Sequence, residues 1–189
     1  MKETKKLILD TAKRLFSKSG MRKTTVDEIA KEARIGKGTI YHYYESKEAV
    51  FFDVVENEVE ALKGGIAEAV DSAQRADEKL KAYMMTRMRL FNKFANFYST
   101  FREEYIEYYG FVNRLHEKYN DFEITRLGDI IKDGIKSGIF SVEDPALTAF
   151  ALLVAMKGME YYWALEPEEV SEKKISSMLE VLFNGMLKR

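Results

Sequence analysis

Cysteine is absent from this 189-residue chain, which excludes disulfides and thiolate metal sites, and two histidines, His42 and His116, are too few to build a metal site of their own. Proline occurs only at 145 and 167, and no stretch alternates apolar with polar residues as a half-buried strand would, so the chain reads as helical throughout. Long apolar runs are also missing. From Met1 to Gly20 basic residues interrupt isolated apolar ones, which is neither a signal peptide nor a membrane span. The expectation is a soluble, unprocessed, cytoplasmic protein with no membrane partner. There is no nucleophile-base-acid set and no phosphate-binding glycine loop, so no enzyme and no cofactor are expected. His116 has Glu117 beside it and Glu103, Glu104 and Glu107 upstream, but no Glu-x-x-His motif, and those glutamates read as a solvated helix face.

What the chain does have is apolar material, 46% of residues with 13% aromatic, enough for a large core or for a small module fused to a larger one. Its net charge of −1 conceals an asymmetry. Residues 1–50 carry twelve Lys and Arg against seven Asp and Glu, a net of +5, and the remainder is −6. A basic segment of this size fits a solvated helix face as well as a nucleic-acid surface, so charge alone does not decide between them.

Helix signals divide the chain further. The first helix runs from about Glu3 to Ser19, with Leu7, Ile8, Ala12, Leu15 and Phe16 on one face and Gly20 placed for a left-handed stop. Thr25 and Glu28 form a capping box that opens a second helix burying Val26, Ile29, Ala30 and Ala33. A very short third helix follows Gly36, with Ile40 and Tyr44 turned inward. Ser46 caps a fourth, whose stripe of Val50, Phe51, Val54, Val55, Val59 and Leu62 runs up to Gly64-Gly65. Beyond the glycine pair, residues 80–122 are dense in Tyr, Phe and Met and predict a second core. A helix from about Phe122 ends at Gly138. Asp144-Pro145 opens another carrying Leu147, Phe150, Val154 and Tyr161, and the last begins near Ser171 with Ile175, Met178, Leu179, Leu182 and Met186 in one stripe.

The segment 25–44 carries the function. Two helices joined by Ala33-Arg34-Ile35-Gly36 must cross steeply, the geometry that lets the second enter a major groove. Its outer residues suit that task. Lys37 can pair with phosphate or guanine, Gly38 permits close approach, Thr39 can donate to phosphate, and Tyr41 offers a ring for a thymine methyl. The helix N-termini at Thr25 and near Lys47 add free amides suited to phosphate.

Thr24-Thr-Val-Asp-Glu-Ile-Ala-Lys-Glu-Ala33, Gly36-Lys-Gly-Thr-Ile-Tyr-His-Tyr-Tyr44 and Ser46-Lys-Glu48 resemble the TetR/AcrR family of tetracycline-repressor-like regulators over about residues 5–55. The resemblance implies an all-α fold: a helix-turn-helix head, a linking fourth helix, and a helical body that binds ligand and dimerises through the last two helices. It also implies that Lys37, Gly38 and Tyr41 face bases, and that Thr25, Thr39, His42, Tyr43 and Lys47 face phosphates. Two positions depart from the family pattern. Arg34 stands where glycine is usual, so it takes a left-handed conformation at a modest cost, or the turn is shaped differently, or its guanidinium reaches the DNA backbone. Gly36 replaces a polar cap, which loses little.

The expected domains are therefore 1–47, the DNA-binding head, and 48–189, the effector-binding and dimerising body. The partners are double-stranded operator DNA, a second copy through helices at about 145–165 and 171–188, and a small hydrophobic effector that would release a repressor from its palindromic operator. The aromatic and Met cluster either fills the core or lines the effector pocket. Met88, Phe91, Tyr98, Tyr105, Tyr109 and Trp163 are the candidate lining residues. The competing class is a helical carrier of a lipophilic molecule whose basic head meets DNA incidentally.

Overall fold

A computed structural model describes residues 2–91, 94, 96, 109–165, 176, 177, 180, 181, 184 and 186, with backbone alone at 91, 109, 112 and 160–165. Among these residues there are seven helices of seven residues or more and no β-strand: α1 (Lys2–Ser19), α2 (Val26–Ala33), α3 (Lys37–Tyr43), α4 (Lys47–Asp71), α5 (Ala76–Phe91), α6 (Tyr109–Lys136) and α7 (Pro145–Leu165). The caps follow the chemistry of the sequence. Gly20 closes α1 at φ +79°. The Ser46 hydroxyl accepts from the Ala49 amide at 3.1 Å to open α4. Asp144 accepts from the amides of Ala146 and Leu147 at 2.9 and 3.0 Å, ahead of Pro145 in the first position of α7, where a missing N–H costs nothing.

Two expectations are corrected. α4 does not stop at Gly64-Gly65 but continues to Asp71. Each glycine costs about 1 kcal/mol relative to alanine inside a helix, and burial of Leu62, Ile66 and Val70 on the same stripe outweighs that cost. Gly65 has a packing reason to be there, because a Cβ at that position would lie 3.1 Å from the Leu90 side chain of α5. The helix expected from about Phe122 begins at Tyr109. Its first turns bury Leu115 and Tyr119, which a reading centred on the aromatic cluster did not assign to a helix. Of the last stripe, Ile175, Met178, Leu179 and Leu182 lie outside the described residues, whereas Met186 is buried and its carbonyl accepts from the Ser141 amide at 3.0 Å.

The chain divides into two compact units, residues 1–61 with 94–109, and residues 62–93 with 110–189, the division falling within α4. The first unit is built on Ile8, Ala12, Phe16, Ile29, Ile40, Phe51 and Val54, with the Phe16 and Phe51 rings edge to face at 5.3 Å. Phe94 and Asn96 belong to this unit although they come from much later in the chain. The buried Asn96 amide nitrogen lies 2.9 Å from both Ser17 Oγ and Glu58 Oε1, and 3.2 Å from the Lys13 carbonyl. One side chain thereby holds α1 to α4.

The second unit packs α5, α6 and α7 around Leu80, Tyr83, Met84, Leu127, Ile131, Leu152 and Met156. At its centre Arg87 of α5 donates to Glu123 of α6, and the Tyr83 hydroxyl donates to the same carboxylate at 2.8 Å. All three side chains are buried. The C-terminus of α6 is sealed by amides of Ile139 and Phe140 donating to the Gly134 carbonyl at 2.8 and 3.1 Å, with Gly138 at φ +73°. This turn folds the Phe140 ring onto Gly134, where a Cβ would meet ring carbons at 2.0 to 2.8 Å. Gly134→Ala is expected to lower the unfolding free energy by about 1–3 kcal/mol through overpacking, read as a shifted urea midpoint. An unchanged midpoint would mean that the ring is not seated there.

Candidate nucleic-acid interface

α2 starts where its sequence says it should. The Glu28 amide donates to the Thr25 hydroxyl at 3.2 Å, and the Thr25 amide donates back to the Glu28 carboxylate at 2.7 Å. Both halves of the capping box are formed. Val26, Ile29, Ala30 and Ala33 are buried, which fixes the roll of the helix and leaves Asp27, Glu28, Lys31 and Glu32 outside.

The turn to α3 depends on Arg34, which sits at φ 55°, ψ 41°, the left-handed region that favours glycine. Its amide and that of Ile35 donate to the carbonyls of Lys31 and Ala30 at 3.2 and 3.0 Å, the same closure that Gly138 completes at the end of α6. The left-handed conformation read as one outcome of the missing glycine is therefore realised at Arg34. Its side chain is exposed.

α3 spans only seven residues and has no side-chain cap at Gly36. Ile40 is buried on its inner side, and Tyr44, directly after it, packs inward as well. The opposite surface presents Lys37, Gly38, Tyr41 and His42 to solvent, with Thr39 and Tyr43 half-buried beside them. Tyr41 is 50% exposed, one of the few large apolar side chains so placed, and nothing stands within 4 Å of a Cβ built on Gly38. The His42 and Tyr43 rings meet edge to face at 5.2 Å.

Charge pairs surround this surface. Lys37 Nζ lies 2.8 Å from Asp27 of α2, and that hydrogen bond raises the Lys37 ammonium above its ordinary range. Arg14 of α1 pairs with Glu32 at 2.8 Å, whose carboxyl it lowers. Behind α3, the Tyr44 hydroxyl donates to Asp53 of α4 at 2.8 Å, and Lys5 of α1 reaches the same carboxylate at 2.8 Å. Burial pushes the Tyr44 phenol upward, and the Asp53 contact adds to it. Burial alone would raise the Asp53 carboxyl, but hydrogen bonds from Lys5, Tyr44 and Asn57 outweigh it and hold the group below the usual range. One carboxylate thus ties α1, the end of α3 and α4 together. Lys47, at the start of α4, donates to the Arg22 carbonyl at 3.4 Å.

The candidate DNA residues therefore fall on one short helix and its two flanks, with the Thr25 hydroxyl engaged in capping. Sequence reasoning did not find Asp27, Asp53 or Asn96 as partners, because each pairs across a turn or across the fold and leaves no periodic trace. In the second unit, Met88 is buried on α5. Phe91, Tyr109 and Trp163 lie in helices whose side chains there are not described, and Tyr98 and Tyr105 lie outside the described residues. Burial pushes the half-buried His116 down to about 4, helped by the Lys157 ammonium. Among the described residues no three His, Cys, Asp or Glu come together as a metal cluster, and no helix is long and apolar enough to cross a membrane.

Residues 8–54 match the family model of bacterial regulatory proteins, tetR family. The chain is 27% identical to the uncharacterized HTH-type transcriptional regulator YhgD of Bacillus subtilis (strain 168), covering 95% of this chain and 94% of that protein. It is 25% identical to the HTH-type transcriptional regulator QacR of Staphylococcus aureus (strain Mu50 / ATCC 700699), covering 96% and 97%. Among solved structures, the transcriptional regulator FadR from Bacillus subtilis in complex with stearoyl-CoA shares the fold at a TM-score of 0.74, with 23% identity over 95% of this chain and 97% of that one.

Relieving the left-handed strain should be measurable. Arg34→Gly is expected to raise the unfolding free energy by about 1 kcal/mol, read from urea titration, and a lowered stability would show that Arg34 makes compensating contacts.

Proposed function

We propose that this chain, a helix-turn-helix transcriptional regulator whose residues 8–54 match the tetR family model, is a homodimeric repressor that leaves a palindromic operator when a small hydrophobic effector binds its C-terminal helices. The observation that carries this reading is the two-sidedness of α3: Ile40 and Tyr44 are buried while Lys37, Gly38, Tyr41 and His42 face outward. A seven-residue helix with so polar and uncovered an outer face fits direct readout in a major groove.

In this reading Lys37, Gly38 and Tyr41 meet base edges. Thr25, Arg34, Thr39, His42, Tyr43 and Lys47 meet the sugar-phosphate backbone and set the register. Residues 1–47 form the reading head, and 48–189 the part that senses the effector and pairs the protomers.

The dimer surface is proposed on α7. Leu147, Phe150 and Val154 are 62%, 53% and 51% exposed, and the i, i+3, i+7 spacing puts them on one face with the exposed small residues Ala151 and Gly158. Val181, near the C-terminus, is 75% exposed. An apolar stripe of this length calls for a partner, and a second copy related by a two-fold axis would present two heads to half-sites roughly 34–36 Å apart or a multiple of that. The effector is proposed to sit among the Met and aromatic side chains of the body, with Met88 in its wall. Support comes from the apolar core there, built on Tyr83, Met84, Met88 and Tyr119, and from the stearoyl-CoA held by the similarly folded FadR. Effector binding then displaces α4, changes the spacing of the heads, and removes the gain from simultaneous engagement of two half-sites.

An operator selected from random duplexes with the whole protein makes this testable. Tyr41→Ala is expected to lower affinity for the operator while leaving random duplex binding unchanged. Lys47→Ala is expected to weaken both alike and to flatten the log-log salt slope by about one unit. If neither substitution alters affinity or selectivity, α3 is not the reading element. Phe150→Glu is expected to convert a sedimenting dimer to monomer and to abolish tight operator binding, and a wild-type protein that sediments as a monomer at micromolar concentration contradicts the dimer.

A further inference from the structure

An acid stands on the surface that carries the reading lysine. Asp27 is 69% exposed in side-chain terms and its carboxylate lies 2.8 Å from Lys37 Nζ. The helix start does not need Asp27 as its cap, because Thr25 and Glu28 already satisfy each other there. The segment 1–50 is otherwise basic, net +5, as a phosphate-binding surface should be. A carboxylate placed against an exposed lysine of that segment reduces the attraction for phosphate where attraction would be expected to serve.

We propose that Asp27 sets the sequence specificity of the head: it holds the Lys37 ammonium away from phosphates of random DNA and aims the remaining N–H groups at an acceptor on a base edge. The inference rests on Lys37 facing DNA, as read above.

The physical reasoning turns on the difference between the two kinds of complex. Random duplex is held by phosphate neutralisation alone, with one counterion released per effective cation. Lys37 paired to Asp27 is not such a cation, so nonspecific binding is weakened. A base edge is neutral and offers guanine N7 and O6 as acceptors. An ammonium carries three N–H groups, and one committed to Asp27 leaves two for the base. The ion pair can therefore persist on the operator but opposes binding elsewhere, and the ratio of the two affinities rises.

The test compares Asp27→Asn, Lys37→Ala and the double variant in the full-length protein, using the selected operator and a random-sequence duplex, by fluorescence anisotropy from 50 to 200 mM salt. Asp27→Asn is expected to tighten random-duplex binding about 3- to 10-fold at 50 mM and to steepen its salt slope by about one unit, an extra loss of about 3- to 4-fold across that range. Operator affinity should change by less than about 3-fold, so specificity narrows. In the Lys37→Ala background, Asp27→Asn should alter neither slope nor ratio. An acid serving only the dipole of α2 would shift Tm and leave the salt slope where it was, and that result overturns the proposal. An equal effect with and without Lys37 also overturns it, because Asp27 would then repel phosphate directly. If Lys37→Ala alone leaves both affinities unchanged, Lys37 is not at the DNA and both readings fall together. Should Asp27→Asn unfold the protein, Asp27→Ser is the second variant, with the same outcomes expected.

Discussion

A helix of seven residues makes too few internal hydrogen bonds to persist in water by itself. α3 is held from one side only, by Ile40 and by Tyr44 just after it, and burying a side chain such as Ile40 contributes about 1.5–3 kcal/mol. Everything the head does follows from that one-sided anchorage. Because the inner face supplies the stability, the outer face is released from packing and can be polar, small at Gly38 and aromatic at Tyr41. Tyr44 adds direction to the anchorage through its bond to Asp53, which orients the end of α3 against α4.

The second unit solves a different problem. Among its helices sits a buried polar cluster of Arg87, Glu123 and Tyr83. Removing one member of a buried ion pair costs about 3–5 kcal/mol, whereas replacing both by apolar groups is often neutral. The cluster is therefore better understood as fixing how α5 and α6 pair than as the source of the unit's stability. A mispaired arrangement would strand a charge in apolar surroundings, and apolar contacts alone, being non-directional, do not exclude such arrangements.

Local chemistry was legible in the amino-acid sequence and pairing across the fold was not. The Thr25–Glu28 box, the Ser46 and Asp144 caps, the left-handed Gly20 and the inward Ile40 all follow from rules spanning four residues or fewer. Gly64-Gly65 misled because a glycine pair reads as a helix end until the apolar stripe on its far side is counted. The start of α6 was hidden because Tyr109 opens it without an acid in the first turn to announce it. The departure at Arg34 was visible as a missing glycine, but only the backbone angles show that the left-handed conformation is kept there. Asp27 and Lys37 stand ten positions apart, and Asn96 stands 38 from Glu58. No periodicity connects such pairs. The candidate DNA-facing set came from motif and chemistry together, and the body gave only a composition.

Asn96 has a consequence for how such a chain can be recombined. The first compact unit is discontinuous: a fragment cut within α4 would keep α1 and α3 but leave behind Phe94 and the amide that bridges Ser17 and Glu58. Chimaeras that transplant the first sixty residues onto another sensor would lose that clasp unless the recipient supplied its equivalent. Exchange of heads between relatives is accordingly a two-site graft, and a library of fusions joined at a single crossover should favour parents that share an amide at this position.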